Sequence, residues 1–409
     1  MSKWQWLPGG NVTATPGFQA AGVTAGLKKS GKPDMALIYS EDPANFAGVF
    51  TSCTFAAAPV RVCRERVRKS RFAQAFIINS GNANACTGQT GLDDAETMCR
   101  LTAEALRIAP EAVLAASTGR IGVPMPMDII ADGIQKAAAA LRSDGGALAA
   151  QAIMTTDTVP KSAAVKVALS GGAVTIGAIC KGVGMIDPAM VRVPHATMIC
   201  AITTDVKCDN ALLEELLFDN AEESFNRITV DGDMSTNDTC VIFANGRSGV
   251  ELRAGTEDCR AFREALLAVM QDLARKQVMD GEGATKFVAV EVSGAPSRNA
   301  AKLCAEAVAN SLLCKTAWFG CDPNWGRIVA ALGYSKAEFD PAKVDVYYDD
   351  KIVVARGGDA GTPEAELAEI LKQREFKVRI LLNQGDASYW VWTSDISYEY
   401  VKINAEYHT

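Results

Sequence analysis

Histidine is almost missing from this chain: 409 residues contain two, His195 and His408, so any Ser–His or Cys–His mechanism has to use one of them. Paired cysteines are missing too. Twelve cysteines scatter from Cys53 to Cys321 with no Cys-x-x-Cys among them, which indicates neither a zinc site nor a disulfide framework. No apolar run approaches a membrane span, and the opening Met1-Ser2-Lys3-Trp4-Gln5-Trp6 lacks the apolar region of a signal peptide. Free thiols without a leader predict a reducing cytoplasm. No long run of one charge sign occurs, the formal charge is −7, and the basic cluster at Arg61–Arg71 reads as a solvated helix face. Nucleic-acid binding is therefore not expected.

Several nucleotide, hydrolase and metal signatures also fail. Gly26-Leu27-Lys28-Lys29-Ser30-Gly31-Lys32 has P-loop spacing, but Pro33 stands where the magnesium-binding hydroxyl is needed and no apolar strand precedes it. No Gly-x-Ser-x-Gly elbow exists, which disfavours an α/β-hydrolase. Asp231-Gly232-Asp233 opens like a calcium loop but lacks the later glycine and glutamate.

What is present is a large apolar fraction, 48% of residues, and a length that suggests two or three lobes. Apolar residues at three- and four-residue spacing predict a helix over 93–108, with Met98, Leu101, Ala105 and Ile108 on one face. A second is predicted over 258–279, burying Phe262, Leu266, Met270 and Leu273, with Gly281 as its C-cap. A third starts at Thr362-Pro363, read as an N-cap and first-turn proline, and buries Leu367 and Ile370. Alternation predicts strands instead. Val165, Val167 and Leu169 turn at Gly171-Gly172 into Val174 and Ile176, and 344–348 pairs with 352–355 across Asp349-Asp350. Val288, Val290 and Val292, and then Phe376, Val378, Ile380 and Leu382, also alternate. Hairpins mixed with separate helices favour an α+β fold of antiparallel or mixed sheets covered by helices.

The most informative stretch is Lys181-Gly182-Val183-Gly184-Met185-Ile186-Asp187-Pro188-Ala189-Met190, followed by Val191–His195 and Ala196-Thr197-Met198. On residues alone it is a glycine-rich turn that enters an apolar segment through a small residue and a threonine. Thr197 could simply be the N-cap of a βα connection.

Other blocks occur in order with it. They are Gln19-Ala20-Ala21-Gly22, Gly48-Val49-Phe50-Thr51, the 79–88 run from Asn79 to Gly88, Ser117-Thr118-Gly119, and Met154-Thr155-Thr156-Asp157-Thr158. Asp231-Gly232-Asp233 with Ser235-Thr236-Asn237-Asp238, Asp280-Gly281-Glu282-Gly283-Ala284-Thr285-Lys286, Gly320–Arg327 and the ending 403–409 complete the series. Together these blocks resemble the ornithine acetyltransferase family, the bifunctional glutamate N-acetyltransferases of arginine biosynthesis, across essentially the whole chain. In the family pattern, Ala-Thr-Met follows the proline segment directly. Here Val191–His195 is an insertion of five residues ahead of it.

The resemblance implies an αββα sandwich that cleaves itself between Ala196 and Thr197, giving parts Met1–Ala196 and Thr197–Thr409 assembled as an α2β2 heterotetramer. The freed Thr197 would be the nucleophile, taking acetyl from N-acetylornithine and passing it to glutamate. Thr118 and Gly119 would form the oxyanion hole, and Thr155, Lys181, Thr197, Glu282, Asn404 and Thr409 would bind substrate. No metal or nucleotide cofactor is implied, and acetyl-CoA stays open as a second donor. The chemistry suits a histidine-poor chain. A threonine hydroxyl needs a base, and cleavage creates an α-amine of pKa about 8 on the same residue. Two other readings remain: an aminopeptidase or amidase with water as acceptor, and a binding protein whose longer loop blocks cleavage.

Overall fold

Side-chain alternation along the strands sorts this protein into layers. The computed structural model describes residues 3–188 and 198–406; Ala196, Thr197, Thr409 and the insertion Val191–His195 lie outside the described residues. Strands β1 (Trp4–Trp6), β2 (Phe18–Val23), β3 (Met35–Phe50), β4 (Ala73–Asn82), β5 (Val113–Arg120), β6 (Lys161–Leu169), β7 (Gly172–Lys181) and β8 (Ile199–Thr204) build the first lobe with β10 (Thr239–Ala244). The short β9 (Ile228–Thr229) joins the second lobe. The order is β1-β6-β7-β8-β10-β3-β4-β5, with β2 also on β3. The long β3 links two layers: its first half pairs with β2 and β4, its second half with β10.

Residues one apart on these strands point to different cores, as a period of two requires. Ile38, Phe76, Ile78 and Leu114 meet Ile179, Ile199, Ala201, Val241 and Phe243 between the layers. Their neighbours Leu37, Ala75, Ile77 and Val113 face outward onto helices α2 (Gly88–Leu106) and α3 (Met127–Ala139). On the other outer face Val165, Val167, Ile176, Cys200 and Ile242 pack on α5 (Asn210–Glu222) and α6 (Glu257–Met279). This is the αββα sandwich. Strands buried on both faces read as unbroken apolar runs, which is why Ile199–Thr204 and Thr239–Ala244 show no alternation in the sequence.

The second lobe is a seven-stranded mixed sheet in the order β14-β13-β12-β15-β11-β16-β9. Its strands are β11 (Phe287–Ala295), β12 (Asp345–Tyr348), β13 (Lys351–Ala355), β14 (Gly358–Asp359), β15 (Glu375–Leu381) and β16 (Ala387–Ser394). One face buries Val288, Val290, Val292, Phe376 and Val378 with residues of α7 (Arg298–Ala309), α9 (Trp325–Gly333) and α10 (Glu364–Lys372). The other turns Phe287 and Ala289 into the core that contains α6, which joins the lobes.

Both predicted hairpins form, with Val165 opposite Ile176 and Val346 opposite Val354. Three boundaries differ from expectation. Helix α2 begins at Gly88 rather than Asp93, because Gly91, one turn before the buried Ala95, extends its buried face backward. Asp280, not Gly281, caps α6, with φ −99°. The Thr362 hydroxyl donates to the Ile352 carbonyl instead of capping α10, whose cap position is Pro363. The glycine-rich Gly26–Lys32 turn does form a ring of inward N–H groups, but its anion is internal. The N–H groups of Ala25, Gly26, Leu27 and Lys28 all donate to the buried Asp34 carboxylate, at 2.6–3.1 Å. Among the described residues no helix is long and apolar enough to cross a membrane.

Candidate active site

At one end of the sandwich, β5 and β7 finish where β8 and β10 begin, and a cavity opens between them. Thr118, Gly119, Thr155, Thr156, Lys181, Met198, Ser235, Asn237, Asp238, Glu282 and Asn404 are among the residues that line it. Six positions singled out in the sequence, Thr118, Gly119, Thr155, Lys181, Glu282 and Asn404, thus meet in space despite their separation along the chain. Thr197 itself is outside the described residues, but Met198, to which it is bonded, is in the wall. Thr409 and His408 are outside them as well.

Each segment is held by identifiable contacts. Thr118 and Gly119 close β5, which runs parallel to β4 with Gly81 opposite Gly119. At Gly119 φ is +129°, and an added Cβ would stand 2.5 Å from the Gly81 carbonyl carbon and 2.7 Å from the Asn82 nitrogen. Glycine is required here by strand packing and by its backbone angle. Asn237 pins the strand ends from across the cavity, donating to the carbonyls of Ala83 and Ser117.

Lys181, the last residue of β7, is 8% exposed, and its ammonium donates to the Thr118 hydroxyl at 3.3 Å. A cation thus sits beside the threonine with which it shares the wall. Glu282 follows α6 and is also 8% exposed; its Oε2 accepts from Asn404 Nδ2 at 2.9 Å. Gly184 makes room for that carboxylate, since a Cβ there would lie 2.4 Å from it. Both threonines of the Thr155-Thr156 pair face the cavity.

Behind the wall lies an ionic cluster that sequence reasoning did not assign. Asp157 Oδ1 accepts from the Gly182 N–H at 2.9 Å and from Lys161 Nζ at 2.8 Å, while its Oδ2 accepts from the Thr155 N–H at 3.1 Å. Lys161 also reaches Asp280 at 2.6 Å, and Asp280 accepts from the Thr158 N–H at 3.1 Å. The Asp157 and Lys161 side chains are essentially inaccessible to solvent. One triad therefore ties together the segments carrying Thr155, Lys181 and Glu282. Burial opposes ionisation of Asp157, but the charge of Lys161, then that of Lys181, outweighs it and holds the carboxyl down at about 2. Asp205, in the similar run Thr203-Thr204-Asp205, accepts from the Thr175 N–H at 2.7 Å, so the two aspartates anchor opposite ends of β7. Asp231, which failed as a calcium ligand, accepts from the N–H groups of Met185 and Ile186 at 2.6 and 2.8 Å and fixes the turn ahead of Asp187.

Comparison with known proteins places these features in context. A family model described as the ArgJ family matches residues 19–409. The arginine biosynthesis bifunctional protein ArgJ of Symbiobacterium thermophilum is 48% identical over 408 residues, 99% of this chain and 100% of that protein. A glutamate N-acetyltransferase of Methanocaldococcus jannaschii is 46% identical over 410 residues, 98% of this chain and 99% of the relative. The crystal structure of ornithine acetyltransferase complexed with ornithine from Mycobacterium tuberculosis is 40% identical to the aligned part; it covers 46% of this chain and 100% of that chain, at a TM-score of 0.43.

Proposed function

This chain belongs to the ArgJ family, and from that premise we propose that it is a self-processing acetyltransferase of arginine biosynthesis, moving acetyl from N-acetylornithine to glutamate. The observation that carries the assignment to these residues is the meeting of Thr118, Gly119, Lys181, Glu282 and Asn404 around Met198, one bond from Thr197.

Cleavage between Ala196 and Thr197 gives the parts Met1–Ala196 and Thr197–Thr409. The Thr197 hydroxyl attacks the Ala196 carbonyl, and water hydrolyses the resulting ester. The freed α-amine, of pKa about 8, then serves as base to its own hydroxyl. Acetyl passes from N-acetylornithine to Thr197, ornithine leaves, and glutamate collects the acetyl group from the threonine ester. Thr118 and the Gly119 N–H stabilise the oxyanion of each tetrahedral intermediate, where loss of one donor typically costs about 3 kcal/mol. Lys181 holds a substrate carboxylate, Glu282 with Asn404 holds the ammonium, and Thr155 and Thr409 complete the contacts. The reaction needs no metal or nucleotide cofactor. Acetyl-CoA as a second donor, an α2β2 assembly and a cytoplasmic location belong to the same reading.

Purified protein given N-acetylornithine and glutamate should release ornithine and form N-acetylglutamate. Release of acetate at the same rate without glutamate would instead identify an amidase, and a single uncut band with no turnover a binding protein. Glu282→Gln removes one charge and keeps the shape. The lost charge-assisted bond, about 1.5–3 kcal/mol, should raise KM for N-acetylornithine about 10- to 100-fold with a smaller change in kcat.

A further inference from the structure

The Gly26–Lys32 turn fails as a phosphate loop, yet one of its side chains reaches the cavity wall from behind. Lys28 is half-buried, and its ammonium donates to the Pro33 carbonyl of its own loop at 2.8 Å and to the Met154 carbonyl at 2.7 Å. Burial lowers that ammonium to about 8, with Asp34 favouring the charge and Lys181 opposing it, so the group is charged at neutral pH. The loop itself is tied down. Its N–H groups close on the Asp34 carboxylate, and the Asp34 carbonyl accepts from the Ser80 N–H of β4 at 2.8 Å. The next residue of that strand is Gly81, opposite Gly119, where an added Cβ would stand 3.4 Å from Leu27 Cβ and 3.5 Å from Lys28 Cγ. Lys28 is thus packed on the strand pair that ends in Thr118 and Gly119.

Met154 follows helix α4 (Gly146–Ala152), and carbonyls at such an end have no partner within the helix. Two side chains serve them here: Ser80 Oγ donates to the Ala152 carbonyl at 2.5 Å, and Lys28 to that of Met154. On the other side of the Met154–Thr155 peptide, the Thr155 N–H donates to Asp157 Oδ2 at 3.1 Å. This one peptide is therefore clamped at both ends, its oxygen by a lysine and its N–H by an aspartate. A peptide unit is planar, so holding its oxygen and its hydrogen fixes the plane and the direction in which the chain enters Thr155. Thr155 and Thr156 both face the cavity immediately after it.

We infer that Lys28 is a positioning residue of the acetyl-transfer site that sets where Thr155 stands, a role that rests on the reading of Thr155 as a substrate contact. Lys28 is not in the cavity wall among the described residues, and it acts through the peptide it holds. Its bond to the Met154 carbonyl is charge-assisted, which makes it stronger than a neutral one. Without it Asp157 still holds the N–H, but the plane can tilt about that single contact. The threonine would then meet substrate from a wider range of directions, and a small misplacement of a contact is enough to weaken it.

The test is a double-mutant cycle on the full-length enzyme, with ornithine release from N-acetylornithine and glutamate as the assay. Lys28→Met and Thr155→Ala should each lower kcat/KM by about 10-fold, the lower range for a lost hydrogen bond to a charged group, with KM changing more than kcat. Lys28→Met added to Thr155→Ala should cost no more than a further factor of about 2, whereas independent residues would multiply their effects. Lys28→Arg keeps a charged donor and should restore part of the loss. Lys29→Met removes the same charge from an exposed neighbour and should stay within about 2-fold of the unaltered enzyme. Thermal melting accompanies each variant, and Lys28→Gln enters the cycle in place of a methionine variant that does not fold. Unchanged kcat/KM in Lys28→Met, or effects that multiply in the double variant, overturn the positioning role and leave Thr155 as a contact. Unchanged kinetics in Thr155→Ala overturn the reading of Thr155 itself, and the inference with it.

Discussion

Thr197→Ala should leave a single 43.3 kDa chain on a denaturing gel and lower acetyl transfer by on the order of 10⁴-fold or more. Both effects are expected from one hydroxyl, because in the proposed cycle the same oxygen opens the peptide bond and carries acetyl. Removing it would leave the proposed oxyanion donors and substrate contacts, so residual ornithine binding should persist while turnover vanishes. Thr197→Ser keeps the oxygen and should cleave and transfer at a reduced rate, separating loss of chemistry from loss of shape. A Thr197→Ala protein that still consumes N-acetylornithine would place the nucleophile elsewhere.

The largest effect on stability is expected at Lys161. Replacing it with methionine removes the cation from two carboxylates, one fully buried and one nearly so. Breaking such a pair from one side costs about 3–5 kcal/mol, because the remaining charges have no compensation. The denaturation midpoint should drop accordingly. In the native protein the folded Asp157 carboxyl, at about 2, lies below its ordinary value of 3.8. That contribution is complete above 3.8 and disappears as pH falls toward 2. The methionine variant should reverse the sign. With Lys161 gone, burial, the largest influence on Asp157, outweighs the weaker pull of Lys181 and raises the carboxyl above its unfolded value, so stability is lost as pH rises toward neutrality. Denaturant titrations at pH 5 and 8 read this directly, and equal midpoints at both values would show that Asp157 owes nothing to Lys161. Because the triad also holds the Thr155 and Gly182 N–H groups, kcat should fall even in the fraction that remains folded.

Six residues that line the candidate cavity, Thr118, Gly119, Thr155, Lys181, Glu282 and Asn404, were legible only through the family resemblance carried by short runs of glycine, threonine and asparagine; on composition alone such runs read as turns and caps. Asp157 stood in such a run without a role, because its importance lies in what surrounds it: a buried lysine partner, which spacing does not reveal. The long helix over 257–279 and the two hairpins were readable because one side of each is buried and its period shows. Strands such as β10 sit between two layers and lose that contrast. The start of α2 was missed because glycine and alanine can face a core without registering as apolar pattern.

The order of the strands carries one further consequence. The proposed cut falls between β7 and β8, which remain neighbours in an unbroken antiparallel ladder from Ile176–Thr204 to Lys181–Ile199. β10, from the second piece, lies between β8 and β3, so material from both pieces is interleaved across the same sheet. Nicking the backbone there gives two new chain ends but no separable subunits. The halves should travel together through every native purification and melt as one, and neither should be exchangeable between molecules once the sheet has closed.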